Sequence, residues 1–365
     1  MSHTAFEPAT LGKLKLTNHI VMAPMTRSRA LGNVPNDMMA EYYRQRASAG
    51  LIITEGTSPA ADGLGYARIP GLFNQEQVTH WKGVTSAVHK AGGHIFIQLM
   101  HAGRIFHPLN LPAGAEGIAP SAVAAKGEMW TDQQQMQQQP VPRALRTEEL
   151  AKVRDEYVAS AKLAIEAGFD GVELHGANGY LLEQFLNPQS NQRTDDYGGS
   201  VKNRARFVLE VVRGVADAIG ADRTGIRLSP WGVFSDMPHY PEIDETYAHL
   251  AEELQKIGIV YVHLVNHSSM GAPAVPQQTV DTIRGKFTNT LILSGGLHTL
   301  AAIDDALDNG HADLVAVGRP FIANPDFVER LKAGTPLAAP NPATFYAPGP
   351  KGFADGYIDY PSAAA

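Results

Sequence analysis

His19-Ile20-Val21-Met22-Ala23-Pro24-Met25-Thr26, residues 19–26, is the stretch that decides the architecture. It opens as a short apolar run of strand character and ends in Ala-Pro-Met-Thr rather than in glycine. An open, doubly wound sheet built to hold a dinucleotide should follow its first strand with a Gly-x-Gly-x-x-Gly turn. No such turn follows here. Seven further short apolar runs come after it: Leu51–Glu55, His94–Leu99, Gly171–Leu174, Gly225–Ser229, Val260–Val265, Leu291–Ser294 and Asp313–Val317. Helical patterns separate them. Eight β runs alternating with helices close most economically into a parallel (β/α)8 TIM barrel of the α/β class. Nothing resembling a linker divides the chain, so residues 1–365 read as a single domain.

The helices carry their own signals. Thr147 is a candidate N-cap, with Glu148 and Glu149 at the positive end of the dipole. Leu150, Val153, Tyr157, Ala161 and Ala164 then recur at helical steps, and Gly168 stops the run. Ser200, Asp244 and Thr299 open three more such patterns, and Leu181–Leu186 reads as a short one. One connection is unusually long. Residues 100–146, after the third strand, include prolines and the run Gln133-Gln134-Gln135-Met136-Gln137-Gln138-Gln139. Composition alone allows a floppy insert. Its place at a strand's C-terminal end favours a lid or capping hairpin over the barrel mouth.

Composition narrows the function. The net charge of −7 argues against a nucleic-acid partner held by phosphate neutralisation. Cysteine is absent, which removes disulfides, thiolate nucleophiles, Cys-ligated zinc and iron–sulfur clusters together. The first residues show no signal-like pattern, and no apolar run approaches the ~18 residues of a membrane span. The expectation is a cytoplasmic protein with no membrane partner, monomeric or a weak homo-oligomer.

In a barrel the strand ends converge on one site. The fourth run leads into His175-Gly176-Ala177-Asn178-Gly179-Tyr180. An imidazole and an amide can together hold a carbonyl or nitro oxygen, and a phenol beside them can deliver a proton. Ser294-Gly295-Gly296 after the seventh strand and Gly318-Arg319 after the eighth match the phosphate-binding corner of many barrels. With Gln98 and Arg227 across the mouth, a long phosphorylated cofactor is expected. Flavin mononucleotide (FMN) fits: Gln98 reads a pyrimidine-like edge, Arg227 holds charge that develops on the ring, and Thr26 donates to it. His263 and His267 lie four apart, but no third ligand accompanies them, so no metal is expected.

Ala23-Pro24-Met25-Thr26-Arg27, His175–Tyr180, Asn191-Gln192-Arg193-Thr194-Asp195-Asp196-Tyr197-Gly198-Gly199-Ser200 and Val317-Gly318-Arg319-Pro320-Phe321-Ile322-Ala323-Asn324-Pro325 together resemble the Old Yellow Enzyme family of flavin-dependent ene-reductases. The resemblance runs from about Phe6 to about Pro361 and is nearest to bacterial reductases of N-ethylmaleimide, nitrate esters and other xenobiotics. It implies FMN contacts from Pro24, Met25, Thr26, Gly56, Gln98, Arg227, Gly295, Gly296, Leu297, Gly318 and Arg319. It implies that His175 and Asn178 bind the substrate's activating oxygen, that Tyr180 is the proton donor, and that Tyr66 and Tyr346 line the substrate pocket. Met100 stands where many relatives carry tryptophan, which bears on substrate scope. NADPH or NADH is the implied reductant, and activated alkenes (enones, maleimides, nitroalkenes) the implied substrates, with nitro compounds or nitrate esters as a side activity. The rival flavin barrels fit less well. A dienoyl-CoA reductase brings an iron–sulfur cluster, and a tRNA dihydrouridine synthase needs a basic surface and a cysteine donor. A Schiff-base aldolase needs a strand-end lysine. A flavin-binding redox carrier would not need Tyr180 beside an oxyanion-binding pair.

Overall fold

The computed structural model describes residues 3–363; the two residues at either end, included in the single-domain reading of 1–365, lie outside the described residues. The eight expected runs are the eight barrel strands: β1 Ile20–Met22, β2 Leu51–Thr57, β3 Ile95–Leu99, β4 Gly171–Gly176, β5 Thr224–Leu228, β6 Tyr261–Val265, β7 Thr290–Ser294 and β8 Leu314–Val317. All neighbours pair in parallel, and β8 returns to β1 with Val315 opposite Ile20, closing the barrel. Nearly every strand residue is buried on both faces, which is why the runs are continuous rather than alternating.

The lower end of the barrel is plugged. A hairpin of Ala9–Leu11 and Leu14–Leu16 inserts Leu11 and Leu16 beneath Val21, Ile53, Phe96 and Tyr261. The outer layer is helical. Val201–Ile219 buries Phe207, Val208, Val211, Val212 and Val215, and Phe207 meets Phe185 at 4.4 Å between ring centroids. With the bottom filled, the open space lies at the C-terminal ends of the strands.

Two helix starts differ from the sequence expectation. Leu150–Glu166 is preceded by a 3-10 turn, Thr147–Glu149, and Thr147 does not cap it. The Thr147 hydroxyl donates instead to Asp195 at 2.5 Å, while Glu149 accepts the Arg146 N–H at 2.7 Å. Asp244 lies inside the first turn of Ile243–Ile257, where its carboxylate accepts from the Thr279 hydroxyl at 2.6 Å. Ser200 and Thr299 do cap their helices.

The long insert is ordered. Glu128–Thr131 and Gln135–Gln138 form an antiparallel hairpin in which Trp130 faces Met136, so the glutamine run makes the turn and the second strand. Asn110 Nδ2 donates to the Trp130 carbonyl at 2.9 Å. Met129 packs with Ala102, Ile105 and Ala125 against Tyr66 and Tyr180. Arg68 ties the hairpin tip to the C-terminal segment: it pairs with Asp132 and donates to the Tyr346 carbonyl at 2.9 Å.

Candidate active site

The turn after β4 is the most heavily constrained part of the mouth. Asn178 has φ +58° and Gly179 φ +77°, two successive left-handed residues. Asparagine tolerates this region better than most side chains, and glycine enters it freely. A Cβ at residue 179 would come within 2.7 Å of Ser235 Cβ, so the position is closed to larger residues. The turn is gripped from behind. The Asn178 N–H donates to Ser229 Oγ at 2.9 Å, and Ser229 donates on to Glu183 Oε1 at 2.7 Å. The other Glu183 oxygen accepts the Gly179 N–H, and Tyr247 also donates to this carboxylate.

The donor roles follow from the hydrogen bonds. His175 Nδ1 accepts the Ala177 N–H at 3.2 Å. Burial, then the Arg227 charge, holds this imidazole well below its ordinary pKa, so it is neutral with its proton on Nε2. His267 is pushed down to about 4 by burial and by Arg227 and Arg319. Its Nε2 lies 2.7 Å from Asn178 Oδ1. A neutral Nε2–H donating there leaves the Asn178 NH2 as the free end of the amide. Tyr180 stands edge-on to His175, with ring centroids 4.8 Å apart, and burial raises its pKa so that it keeps its proton.

These groups open on a cavity of about 700 Å³, within the range of ligand pockets. Pro24, Met25, Thr26, Gly56, Gln98, Met100, His175, Asn178, Tyr180, Arg227, Gly295, Gly296, Leu297, Gly318, Arg319 and Tyr346 all line it. Tyr66 does not line it; its hydroxyl lies 3.0 Å behind that of Tyr180. A Cβ at residue 56 would meet Met100 Sδ at 2.5 Å, so any larger residue there would have to displace the methionine side chain that lines the cavity. Gly295 has φ +114°, and a Cβ there would meet the Asn266 carbonyl at 1.8 Å.

The donor set fits a flavin nucleotide. Arg227 is a largely buried guanidinium that lines the cavity, and no carboxylate among the described residues lies within ion-pair distance of it, so it can take a carbonyl or anionic edge there. Gln98 is buried and spends one N–H on Glu173, at 2.8 Å, keeping one donor and its carbonyl free. The glycine-rich ends of β7 and β8 beside Arg319 suit a phosphate.

Residues 4–338 match the NADH:flavin oxidoreductase / NADH oxidase family. The chain belongs to the Old Yellow Enzyme family. Its match to 12-oxophytodienoate reductase 7 of Oryza sativa subsp. japonica is 39% identical and covers 98% of this chain and 94% of that protein. Among solved structures, morphinone reductase is 41% identical with a TM-score of 0.93, covering 99% of this chain and 97% of that one. The old yellow enzyme homologue from Zymomonas mobilis is 38% identical with a TM-score of 0.92, covering 98% and 99%. Morphinone reductase has also been solved with tetrahydroNAD. This Old Yellow Enzyme member is thus an FMN-dependent NAD(P)H:flavin oxidoreductase.

The sequence reading missed Glu173, Glu183 and Ser229, and it weighed His263 and His267 only as metal ligands. Among the described residues no cluster of His, Asp and Glu could hold a metal ion. Glu173 had a usable signal, since it lies two residues before His175 on one strand and therefore on the same face. No helix of the structure is long and apolar enough to cross a membrane.

Proposed function

We propose that this protein is an ene-reductase for small activated alkenes such as enones, maleimides and nitroalkenes. The observation that carries the reading is the Tyr180 phenol held beside two neutral donors, His175 and Asn178, at one wall of the cavity that Arg227 enters. When bound and reduced by NADPH or NADH, FMN would supply the hydride that the alkene's β-carbon takes up. His175 Nε2–H and the Asn178 NH2 bind the substrate's carbonyl or nitro oxygen and polarise the double bond. They are fixed donors for the negative charge that develops on that oxygen. Tyr180 gives its proton to the α-carbon, which completes the saturated product. Both donors on the oxygen are neutral, so they favour charge gained during reaction without binding an anion tightly beforehand.

Met25, Thr26, Gly56 and Gln98 hold the flavin head, with Arg227 at its anionic edge. Gly296, Leu297, Gly318 and Arg319 hold its phosphate. Tyr346 and Met100 shape the substrate side, and the hairpin of residues 128–138 acts as a cap. Nitro compounds and nitrate esters present an oxygen to the same donors and are expected side substrates. The test is direct. Purified protein should be yellow, bleach with NADPH under nitrogen, and recover its colour on addition of N-ethylmaleimide or 2-cyclohexenone. Bleaching without recovery by any activated alkene would refute the reading.

A further inference from the structure

One buried carboxylate has no part in the chemistry above. Glu173 lies on β4, fully buried inside the barrel. Its Oε1 accepts from Gln98 Nε2 at 2.8 Å. Its Oε2 accepts from the Tyr261 hydroxyl at 3.0 Å and lies 2.9 Å from His263 Nδ1. His263 Nε2 in turn lies 2.9 Å from Ser294 Oγ. Strands β3, β4, β6 and β7 therefore share one polar layer, and its outer members Gln98 and Ser294 line the cavity.

The charges in this layer are unequal. Burial opposes ionisation of Glu173, but the Gln98 amide, the Tyr261 hydroxyl and the Nδ1–H of a neutral His263 all donate to the carboxylate, and with the Arg227 charge they keep it ionised. His263 is neutral, because burial outweighs the attraction of Glu173. Arg227 stands two residues beyond Gly225, the β5 partner of Glu173, and is the charged group on that side of the barrel that reaches the cavity. Burial works against its charge, and Glu173 is the leading opposite charge that supports it. In a low-dielectric interior such a carboxylate also weakens the positive field that the arginine projects.

We propose that Glu173 is a positioning residue for the cofactor, whose buried negative charge offsets Arg227 and holds the reduction potential of bound FMN down. This goes beyond the proposed function and rests on its placement of Arg227 at the flavin's anionic edge. Reduction adds negative charge to a bound flavin, so any change that leaves Arg227 uncompensated favours the reduced form.

Glu173→Gln tests the charge alone. The amide oxygen can still accept from Gln98. Its NH2 can donate to Tyr261 and to His263 Nδ1, once the imidazole proton moves to Nε2 and turns toward Ser294. The variant holoenzyme should keep its FMN, and its midpoint potential should move positive. A tenfold shift of the oxidised-to-reduced equilibrium, about 30 mV for this two-electron couple, is the expected scale. Tyr261→Phe leaves the carboxylate charged but strips one donor from it, so its potential should move the opposite way. That sign reversal carries the test if Glu173→Gln does not fold.

Arg227→Met is the control and should move the potential negative. If it leaves the potential unchanged, the placement of Arg227 at the flavin fails. A clear shift in Arg227→Met, with none in either Glu173→Gln or Tyr261→Phe, overturns the inference about Glu173 and leaves the site reading standing.

Discussion

Tyr180→Phe removes one hydroxyl and little else, because the ring keeps its edge-on contact with His175. Flavin reduction by NADPH should proceed at nearly the wild-type rate, and re-oxidation by 2-cyclohexenone should slow by about 10²- to 10⁴-fold, the usual range for losing a general acid. Stopped-flow traces separate the two steps, and equal slowing of both would count against the role given to Tyr180. The residue-level reading of the sequence picked out side chains after several strands, because glycines and polar groups interrupt the apolar pattern there, but it passed over Ser229, directly after β5. It could not reach the partners of those side chains. His267 and Asn178 are 89 positions apart, and only the closed barrel brings the imidazole onto the amide oxygen. Tyr66 was expected on the pocket wall from the family resemblance alone; in the structure its hydroxyl lies 3.0 Å from that of Tyr180.

Between residues and whole barrel, the turn after β4 and the capping hairpin each behave as a unit. Ser229→Ala leaves the Asn178 N–H without its acceptor, and it should raise KM for alkenes roughly tenfold while flavin content stays full. Glu183 gives the same turn a pH signature. Burial raises its carboxyl from 4.5 to about 7, even though Gly179, Ser229 and Tyr247 donate to it. Above its ordinary value the unfolded chain ionises at this position while the folded chain holds the proton. The stability it contributes is therefore full below about pH 4.5, falls as pH rises toward 7, and is flat beyond. Glu183→Gln lacks this dependence, so its melting temperature relative to wild type should climb across that window in scanning calorimetry. Arg68→Ala cuts the tie between the hairpin tip and the Tyr346 segment; bulky alkenes should show altered KM, with FMN affinity unchanged. The hairpin was only partly legible, because a glutamine run carries no strand signal of its own. Thr147 misled for a similar reason: Arg193, distant in sequence, donates at 3.2 Å to the oxygen that would have capped the helix, while the hydroxyl itself donates to Asp195.

For the molecule as a whole, the barrel was legible because parallel strands buried on both faces leave unbroken apolar runs. The role of the last segment was not. Arg27 and Arg29 are buried, and they donate to the carbonyls of Thr344, Phe345 and Gly356, with distances such as 2.8 Å from Arg29 to Thr344. Deleting residues 341–365 would strand both guanidinium groups, and a loss of about 3–5 kcal/mol is expected, read as a lower denaturation midpoint. The closure of β8 onto β1 carries one more consequence. A nascent polypeptide halted before residue 314 presents two raw sheet borders and lacks both Gly318 and Arg319. Synthesis must nearly finish before the pigment can be captured, so ribosome-stalled truncations should emerge colourless and depend on chaperones.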